Sequence, residues 1–179
     1  MIQNKDNVSD NKDSYVINKL TIALLNLLKE NKLDDISISN LCSAAHIGRA
    51  SFYRNFNTKE DILKRYDKKL IKEWGKSFEN DNKNEKESKP KILIPSLIGH
   101  YKKHKDFYLI LYRENLSGIV LETILHAMEM DKSTNNIEAY AKAFIGYGLF
   151  GIINEWFSRG MKESPEELLE IMTKNKDEV

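Results

Sequence analysis

The side chains best suited to binding chemistry lie together in residues 49–55. This stretch carries two guanidinium groups, a hydroxyl and a phenol, which belong to Arg49, Arg54, Ser51 and Tyr53. Such groups donate hydrogen bonds to anions and to the polar edges of planar ligands. The sequence has no G-x-S-x-G elbow, no phosphate-cradling loop and no H-E-x-x-H zinc motif. The chemistry therefore indicates binding, and we predict that the chain is not an enzyme.

Two short predicted helices position these donors. Ser37 can cap a first helix, because apolar residues recur at helical spacing over residues 38–45. The sequence His-Ile-Gly at residues 46–48 interrupts this pattern. Gly48 can then cap a second helix over residues 49–56. The donors are thus expected on the second of two helices that a three-residue turn connects.

The second helix has an apolar face and a polar face. Phe52 and Phe56 share one side of it, while Arg49, Tyr53 and Arg54 project elsewhere. Two short helices with a tight turn, of which the second carries hydrogen-bond donors, are typical of a helix-turn-helix that enters a DNA major groove.

A third helix is predicted to begin directly after this hairpin. Thr58 is a suitable N-cap, and the acidic residues Glu60 and Asp61 suit the first turn of a helix. Lys59 opposes the helix dipole at this place, so the start of a helix does not by itself explain a lysine there. We therefore expect Lys59 and the free backbone amides to bind a DNA phosphate.

Residues 52–63 read F-Y-R-N-F-N-T-K-E-D-I-L and resemble the helix 3 to helix 4 signature of the TetR family of one-component transcription regulators. The resemblance, of the TetR/AcrR type, covers residues 14–71 and implies that residues 14–31 form helix 1. The turn departs from the family pattern. The family commonly has glycine at the position of His46, and serine or threonine at that of Gly48. Histidine tolerates the left-handed backbone conformation better than most residues do.

The resemblance also implies DNA-contact roles at the matching positions. We expect Arg49 and Ser51 to contact base edges, and Ala50 to contact a thymine methyl group. Phosphate contacts are expected from Tyr53, Arg54 and Lys59. The complete set of expected DNA-binding residues is Ser37, Arg49, Ala50, Ser51, Tyr53, Arg54, Asn55 and Lys59.

Positive charge is concentrated around this motif. The formal net charge of the whole chain is only +1. Residues 46–71 contain seven Lys and Arg against three acids, whereas residues 72–179 contain sixteen basic and eighteen acidic residues. We call the expected DNA-binding domain, residues 14–71, the head. Because phosphate binding depends on local basic residues, a nearly neutral protein with a basic head is compatible with double-stranded DNA as its partner.

Composition limits the remaining classes of protein. The 179 residues contain no run of eighteen apolar residues, so we predict no membrane span. The polar N-terminal residues do not resemble a signal peptide, and a single cysteine excludes an internal disulfide. We therefore expect a cytoplasmic protein, and nothing in the sequence indicates a cofactor or a metal.

The predicted fold is all-α with two domains. A flexible tail is expected at residues 1–13, a helix-turn-helix DNA-binding domain at residues 14–71, and a helical regulatory and dimerisation domain at residues 72–179. Helix 4, over residues 59–78, joins the two domains and ends in a polar stretch, residues 79–89, that we expect to be a mobile loop. Further helices are predicted near residues 91–104, 106–114, 117–130, 136–161 and 165–175.

The segment 137–161 is apolar on nearly every side and contains Gly146, Gly148 and Gly151. Such a helix must be covered on more than one side, and packing against a second copy would cover it. The resemblance agrees, since the family dimerises through its last two long helices, and residues 156–169 resemble one TetR subgroup. The expected dimer residues are Ile145, Leu149, Ile152, Trp156, Leu168 and Met172.

Aromatic residues are enriched in the second half of the chain, and two interpretations of them stay open. They could pack as plain core, or they could line an effector pocket of the kind the family has. The candidate pocket residues are Tyr101, Phe107, Tyr108, Leu111, Tyr140, Phe144 and Tyr147.

Three other patterns have simpler explanations. The glycines at 146–151 spell G-x-G-x-x-G, but no strand precedes them, so we reject a dinucleotide site. His100 and His104 are four residues apart and could share a helix face, yet no Glu or Cys joins them as a metal ligand in the motif. Cys42 is best explained as a buried small residue of helix 2.

These observations predict a homodimeric transcription regulator, expected to be a repressor, that binds a palindromic operator and is released by an unidentified small-molecule effector. The alternative is a helical dimeric co-regulator whose head binds another protein instead of DNA, for which the unusual turn at His46 and Gly48 leaves room.

Overall fold

The computed structural model describes residues 4–82, 89–127 and 135–174, and within these ranges the chain forms helices and connections without any strand. The predicted all-α class is confirmed. No helix of this part of the chain is long and apolar enough to cross a membrane. In chain order the helices are α1 (Asn4–Leu27), α2 (Ile38–Ala45), α3 (Arg49–Asn55), α4 (Lys59–Asp81), α5 (Lys89–Lys103), α6 (Lys105–Arg113), α7 (Gly118–Ala127), α8 (Asn136–Ser158) and α9 (Pro165–Lys174).

Helix α1 begins earlier and ends earlier than the sequence predicted. Residues 4–13 continue the helix instead of forming a separate tail, because they contain neither proline nor glycine to interrupt it. At the other end, the helix stops at Leu27 and not at Asn31. The Asn31 side chain donates a hydrogen bond from Nδ2 to the Leu27 carbonyl at 2.9 Å, which satisfies one of the last carbonyls of the helix.

The chain divides into two compact units, Met1–Asp67 and Lys68–Val179, and α4 runs across the boundary between them. In the first unit α1 packs against α2 and α3. Its core consists of apolar side chains from all four helices and from the connection between α1 and α2. The most completely buried of these are Leu20, Leu24, Leu28, Ile36, Leu41, Phe52, Ile62 and Leu63.

The second unit is built around a cluster of aromatic rings. Tyr101 of α5 and Tyr108 of α6 meet edge to face with ring centroids 4.6 Å apart. Phe157 of α8 stacks on Tyr108 at 5.7 Å, and Trp156 lies beside Phe157. Because all four rings are almost fully buried, they form the core that holds α5, α6 and α8 together.

The end of α8 and the start of α9 are defined by local hydrogen bonds. Gly160 has a φ of 77°, and the Met161 amide donates to the Trp156 carbonyl at 2.8 Å, which ends α8 before the predicted residue 161. Ser164 and Glu167 then form a reciprocal capping box, in which each backbone amide donates to the other side chain. The helix start predicted at Pro165 is therefore confirmed.

Two predicted features fall partly on residues outside the described ranges. Helix α4 continues to Asp81, so the predicted polar loop begins later than residue 79, and residues 83–88 of that loop lie outside the described ranges. Helix α7 is described as far as Ala127, and the last predicted residues, 128–130, also lie outside them.

Candidate nucleic-acid interface

Helix α2 begins and ends with side-chain and backbone caps. Ser37 is its N-cap, and the Ser37 Oγ accepts a hydrogen bond from the Asn40 amide at 3.0 Å. At the other end His46 has φ 54° and ψ 43°, which is the left-handed conformation. The Ile47 amide donates to the Cys42 carbonyl at 2.9 Å, and the His46 amide donates to that of Ser43 at 3.1 Å. These two bonds form a Schellman motif, with histidine where glycine is usual.

Gly48 is the N-cap of α3, as the sequence predicted. Its φ of −67° and ψ of 143° are accessible to any residue, so this position does not require glycine for its backbone conformation. A Cβ atom built on Gly48 would meet nothing within 4 Å. Helix α3 therefore starts without a side-chain cap, although the structure has room for one.

Helix α3 is anchored by its phenylalanines and presents its polar residues outward. Phe52 is 0% exposed and Phe56 is 5% exposed, and their ring centroids lie 6.1 Å apart. Arg49, Ala50, Arg54 and Tyr53 are exposed, whereas Ser51 and Asn55 are half-buried. Because the anchor residues fix the rotation of the helix, the exposed residues form one continuous edge on α3.

Asn55 differs from the exposed contact residues of α3, since its side-chain amide already donates one hydrogen bond within the helix. The Nδ2 atom of Asn55 donates to the Ser51 carbonyl at 2.8 Å, one turn earlier in the same helix. The second N–H of Nδ2 can still donate a hydrogen bond to a ligand, and the side-chain carbonyl oxygen can accept one.

The start of α4 also bonds internally. The Nζ of Lys59 donates to the carbonyls of Leu33 and Ile36, the latter at 2.7 Å. The amides of Asn57 and Thr58 donate to the Asp61 carboxylate, at 3.1 Å and 2.9 Å. The predicted N-cap Thr58 accepts from the Asp61 amide at 3.3 Å. Two of the three Lys59 ammonium donors and the Asp61 amide are thus engaged within the first unit, and these bonds give a structural reason for a lysine at this helix start.

Arg65, one of the seven basic residues of the range 46–71, lies near α3 and was not among the expected DNA-binding residues. Its guanidinium lies over the Phe56 ring, 5.9 Å from the centroid. A cleft of about 350 Å³ is lined by Arg65 and residues around the end of α3. The lining residues are Tyr53, Arg54, Asn55, Phe56, Asn57, Asp61 and Arg65. The helical spacing from Asp61 to Arg65 was the sequence signal that could have placed this arginine beside the hairpin.

Cys42 is buried on the inner side of α2, as expected. Burial raises the pKa of the Cys42 thiol, and nearby Arg49 lowers it by less. Because a raised pKa disfavours the thiolate, this environment does not resemble that of a redox-sensing cysteine.

Comparison with known families gave two matches on this chain. The model described as "Bacterial regulatory proteins, tetR family" matches residues 22–66, which include α2 and α3. The model described as "Transcriptional regulator C-terminal region", also of a TetR type, matches residues 88–176. The chain belongs to the TetR family. It is accordingly a DNA-binding transcriptional regulator. A search of curated proteins found no match.

In this TetR-family regulator the predicted pocket residues do not form one group. Four of them, Tyr101, Phe107, Tyr108 and Leu111, are buried in the core of the second unit. The other three lie on the exposed side of α8, where Tyr140 is 74% exposed, Phe144 83% and Tyr147 54%. The single aromatic pocket is therefore corrected. Residues of similar type were grouped by sequence alone, but four of them lie on α5 and α6 inside the core, whereas three lie on the exposed side of α8.

The predicted dimer residues divide in the same way. Leu149, Trp156 and Leu168 are each less than 9% exposed and pack inside the second unit, so their side chains are not available to a second copy. Ile145 is 49% exposed, while Ile152 and Met172 are half-buried. The largest exposed apolar side chains of α8 are Ile137, Tyr140, Phe144 and Tyr147, none of which the sequence assigned to the interface.

His100 and His104 are neighbours, as their spacing predicted, with ring centroids 4.8 Å apart. His100 is buried and forms a hydrogen bond with the Tyr108 hydroxyl at 3.1 Å from Nε2. Burial, helped by His104 and Lys103, lowers the pKa of His100 to about 4. Within the described ranges no three His, Cys, Asp or Glu residues are arranged to hold a metal.

Proposed function

We propose that this regulator represses transcription by binding a palindromic operator as a homodimer, and that a small-molecule effector releases it. The observation that carries the DNA part is the exposed edge of α3 over a buried phenylalanine anchor. An anchored second helix with outward donors suits insertion into a major groove. Two such heads in a dimer would address half-sites roughly 34–36 Å apart.

Within this edge we assign the reading of bases to Arg49 and Ser51, and a thymine-methyl contact to Ala50. Tyr53 and Arg54 would contact phosphates, and Arg65 joins them because it lines the same cleft. Ser37 is exposed at the start of α2, where its hydroxyl already caps the helix. We assign Ser37 a phosphate contact from the remaining capacity of that hydroxyl.

The homodimer is supported by the exposed apolar side of α8. Phe144, Tyr140 and Ile137 are each more than 70% exposed on this helix. Gly148 and Gly151 lie on the exposed part of the same helix, and a Cβ atom at either would meet nothing within 4 Å. Large apolar side chains beside small residues allow a second helix to approach closely and exclude water.

We place the effector in a cleft of about 480 Å³ between α4 and α7, in the second unit. This volume is within the usual range for small-molecule sites. The cleft is lined by Lys68, Ile71, Lys72, Glu122, Thr123 and His126, and Lys68 and Glu122 form an ion pair at 3.3 Å. An effector that binds here contacts α4 directly, and α4 continues into the DNA-binding unit.

The DNA-binding proposal is tested by fluorescence anisotropy with DNA from the regulator's own upstream region, at several salt concentrations. We expect specific affinity that falls as salt rises. Arg49→Ala should relax the sequence preference, because it removes a base contact, while Arg54→Ala should weaken all sequences about equally. Equal behaviour of both variants on specific and random DNA would contradict the assignment of roles.

The effector proposal is tested with a small-molecule library screened by thermal shift. Thr123→Trp should fill the cleft and abolish the shift caused by true ligands without changing operator affinity. Ligands whose shift survives this substitution bind elsewhere.

No observation favours the co-regulator alternative. It depended on an abnormal turn at His46 and Gly48, but His46 adopts the left-handed conformation that the turn requires, and Gly48 caps α3. Specific operator binding by the purified protein alone would exclude it.

A further inference from the structure

The start of α4 is bonded to a part of the first unit that is distant in sequence. The ammonium of Lys59 reaches back to the connection between α1 and α2, where it donates to the carbonyls of Leu33 and Ile36. Both acceptor residues are nearly fully buried, with exposed fractions of 4% and 1%. Both hydrogen bonds are partly buried, and a charged donor makes them stronger than bonds between neutral groups, so this contact ties the start of α4 to the connection between α1 and α2.

The position of these acceptors is informative. Ile36 directly precedes Ser37, the N-cap of α2, whereas Lys59 follows the short connection that leaves α3 at Asn55. The lysine therefore connects the residues that precede α2 with the residues that follow α3. Asp61 completes the arrangement by accepting from the amides at 57 and 58, which fixes the connection from α3 into α4.

We propose that Lys59 is a positioning residue for DNA reading, which sets the geometry between α2 and α3, and that it is not a phosphate contact. This inference rests on the proposed DNA binding by α3 and concerns how the head is held. Two of the three ammonium donors are already used. Loss of Lys59 should loosen the arrangement that presents Arg49 and Ser51, while leaving the phosphate-binding charges in place.

A phosphate contact and a positioning contact differ in measurable ways. Each phosphate contact contributes about 0.9 to the slope of log affinity against log salt, for specific and random DNA alike. A positioning residue affects only binding that needs accurate base contacts. Disturbing one base contact at the weak end of its usual range corresponds to a loss of about fivefold to tenfold.

The experiment compares three variants of the full chain by fluorescence anisotropy, on a duplex selected from a random pool and on an unselected duplex. Lys59→Met removes the donors but keeps an apolar stem, Lys59→Arg keeps donors, and Arg54→Ala is the matched loss of a proposed phosphate contact. We expect Lys59→Met to lose about fivefold to tenfold on the selected duplex only, with an unchanged salt slope. Lys59→Arg should recover most of that loss, and Arg54→Ala should lower the slope by about 0.9 on both duplexes.

Nuclear magnetic resonance gives a second readout that does not depend on DNA. In Lys59→Met the amide signals of Ser37 and Asn40 should move, while in Arg54→Ala they should stay in place. All binding is measured at a temperature well below the unfolding midpoint of every variant, so that partial unfolding does not lower the measured DNA affinity.

Four results would overturn the inference. A salt slope lowered by about 0.9 in Lys59→Met, on both duplexes, would make Lys59 a phosphate contact. Unchanged affinity on both duplexes, or unmoved amide signals, would make the lysine irrelevant to reading. If the wild-type protein shows no preference for any selected duplex, the proposed function fails, and the inference about reading fails with it.

Discussion

The buried His100 should make the regulator less stable in acid. The pKa of this imidazole is lowered from 6.5 to about 4, chiefly because burial disfavours the charged form. In the unfolded chain the imidazole binds a proton as pH falls through 6.5, whereas in the folded protein it stays neutral until about pH 4. The stability contribution is therefore complete above pH 6.5 and is lost between pH 6.5 and 4.

The size of this loss follows from the shift in pKa. One pKa unit corresponds to about 1.4 kcal/mol, so the full shift corresponds to about 3 kcal/mol below pH 4. At pH 5 about 2 kcal/mol should be lost relative to pH 8, which is a large part of the stability of a typical domain. The pKa of His104 is also lowered by burial, so its contribution acts in the same direction.

The assay is urea unfolding at pH 8, 7, 6 and 5, monitored by tryptophan fluorescence. Other groups also titrate in this range, so the informative quantity is the difference between wild type and His100→Gln. The variant should be less stable at pH 8, because it loses the packing and the Tyr108 hydrogen bond, but its stability should fall by about 2 kcal/mol less on going to pH 5. The matched control is His126→Gln, which removes an exposed imidazole of the same unit. If His100→Gln loses as much stability as wild type between pH 8 and pH 5, the reasoning from burial is refuted.

Three further substitutions test other parts of the structure. Gly48→Ser should stabilise the first unit by about 0.5–1 kcal/mol in thermal unfolding, because the serine hydroxyl adds the missing side-chain cap to α3 and the side chain restricts the unfolded chain. A lower midpoint would show that the added side chain clashes. Phe52→Ala should cost about 3–5 kcal/mol, measured by urea unfolding, since Phe52 is completely buried; a loss under about 1 kcal/mol would mean that α3 is not anchored by it. Phe144→Glu should convert a dimer to a monomer in light scattering, while Ile22→Glu, at a 60% exposed position of α1, should not; a dimer that survives Phe144→Glu would exclude this side of α8 from the interface.

The parts of the head that the sequence predicted correctly are those set by neighbours in the chain. Ser37 caps α2 and Gly48 caps α3 because capping depends on residues within one turn. The left-handed backbone at His46 follows from the need to close α2 and begin α3 within three residues. The anchor formed by Phe52 and Phe56 follows from helical spacing alone.

Lys59 shows why the rest was not predictable in this way. Its acceptors are 26 and 23 residues earlier in the chain, and a pattern within one helix contains no information about such a contact. The sequence showed only that a lysine opposes the helix dipole, which left phosphate as the obvious partner. In the folded protein the Lys59 ammonium donates to two backbone carbonyls that the tertiary structure brings near.

Helix α8 presents the related problem for apolar residues. Trp156 is 2% exposed and Phe144 is 83% exposed, although both are aromatic residues in one helix with apolar residues on nearly every side. Periodicity cannot separate a side that packs on α6 and α7 from a side that would pack on a second copy, because both sides are apolar. What separates them is burial: the residues that face the rest of the second unit are already covered, and the large apolar residues that remain exposed are concentrated on the opposite side. A single copy exposes these side chains to water at an unfavourable free energy, and this exposure is the observation on which the proposed homodimer through α8 rests.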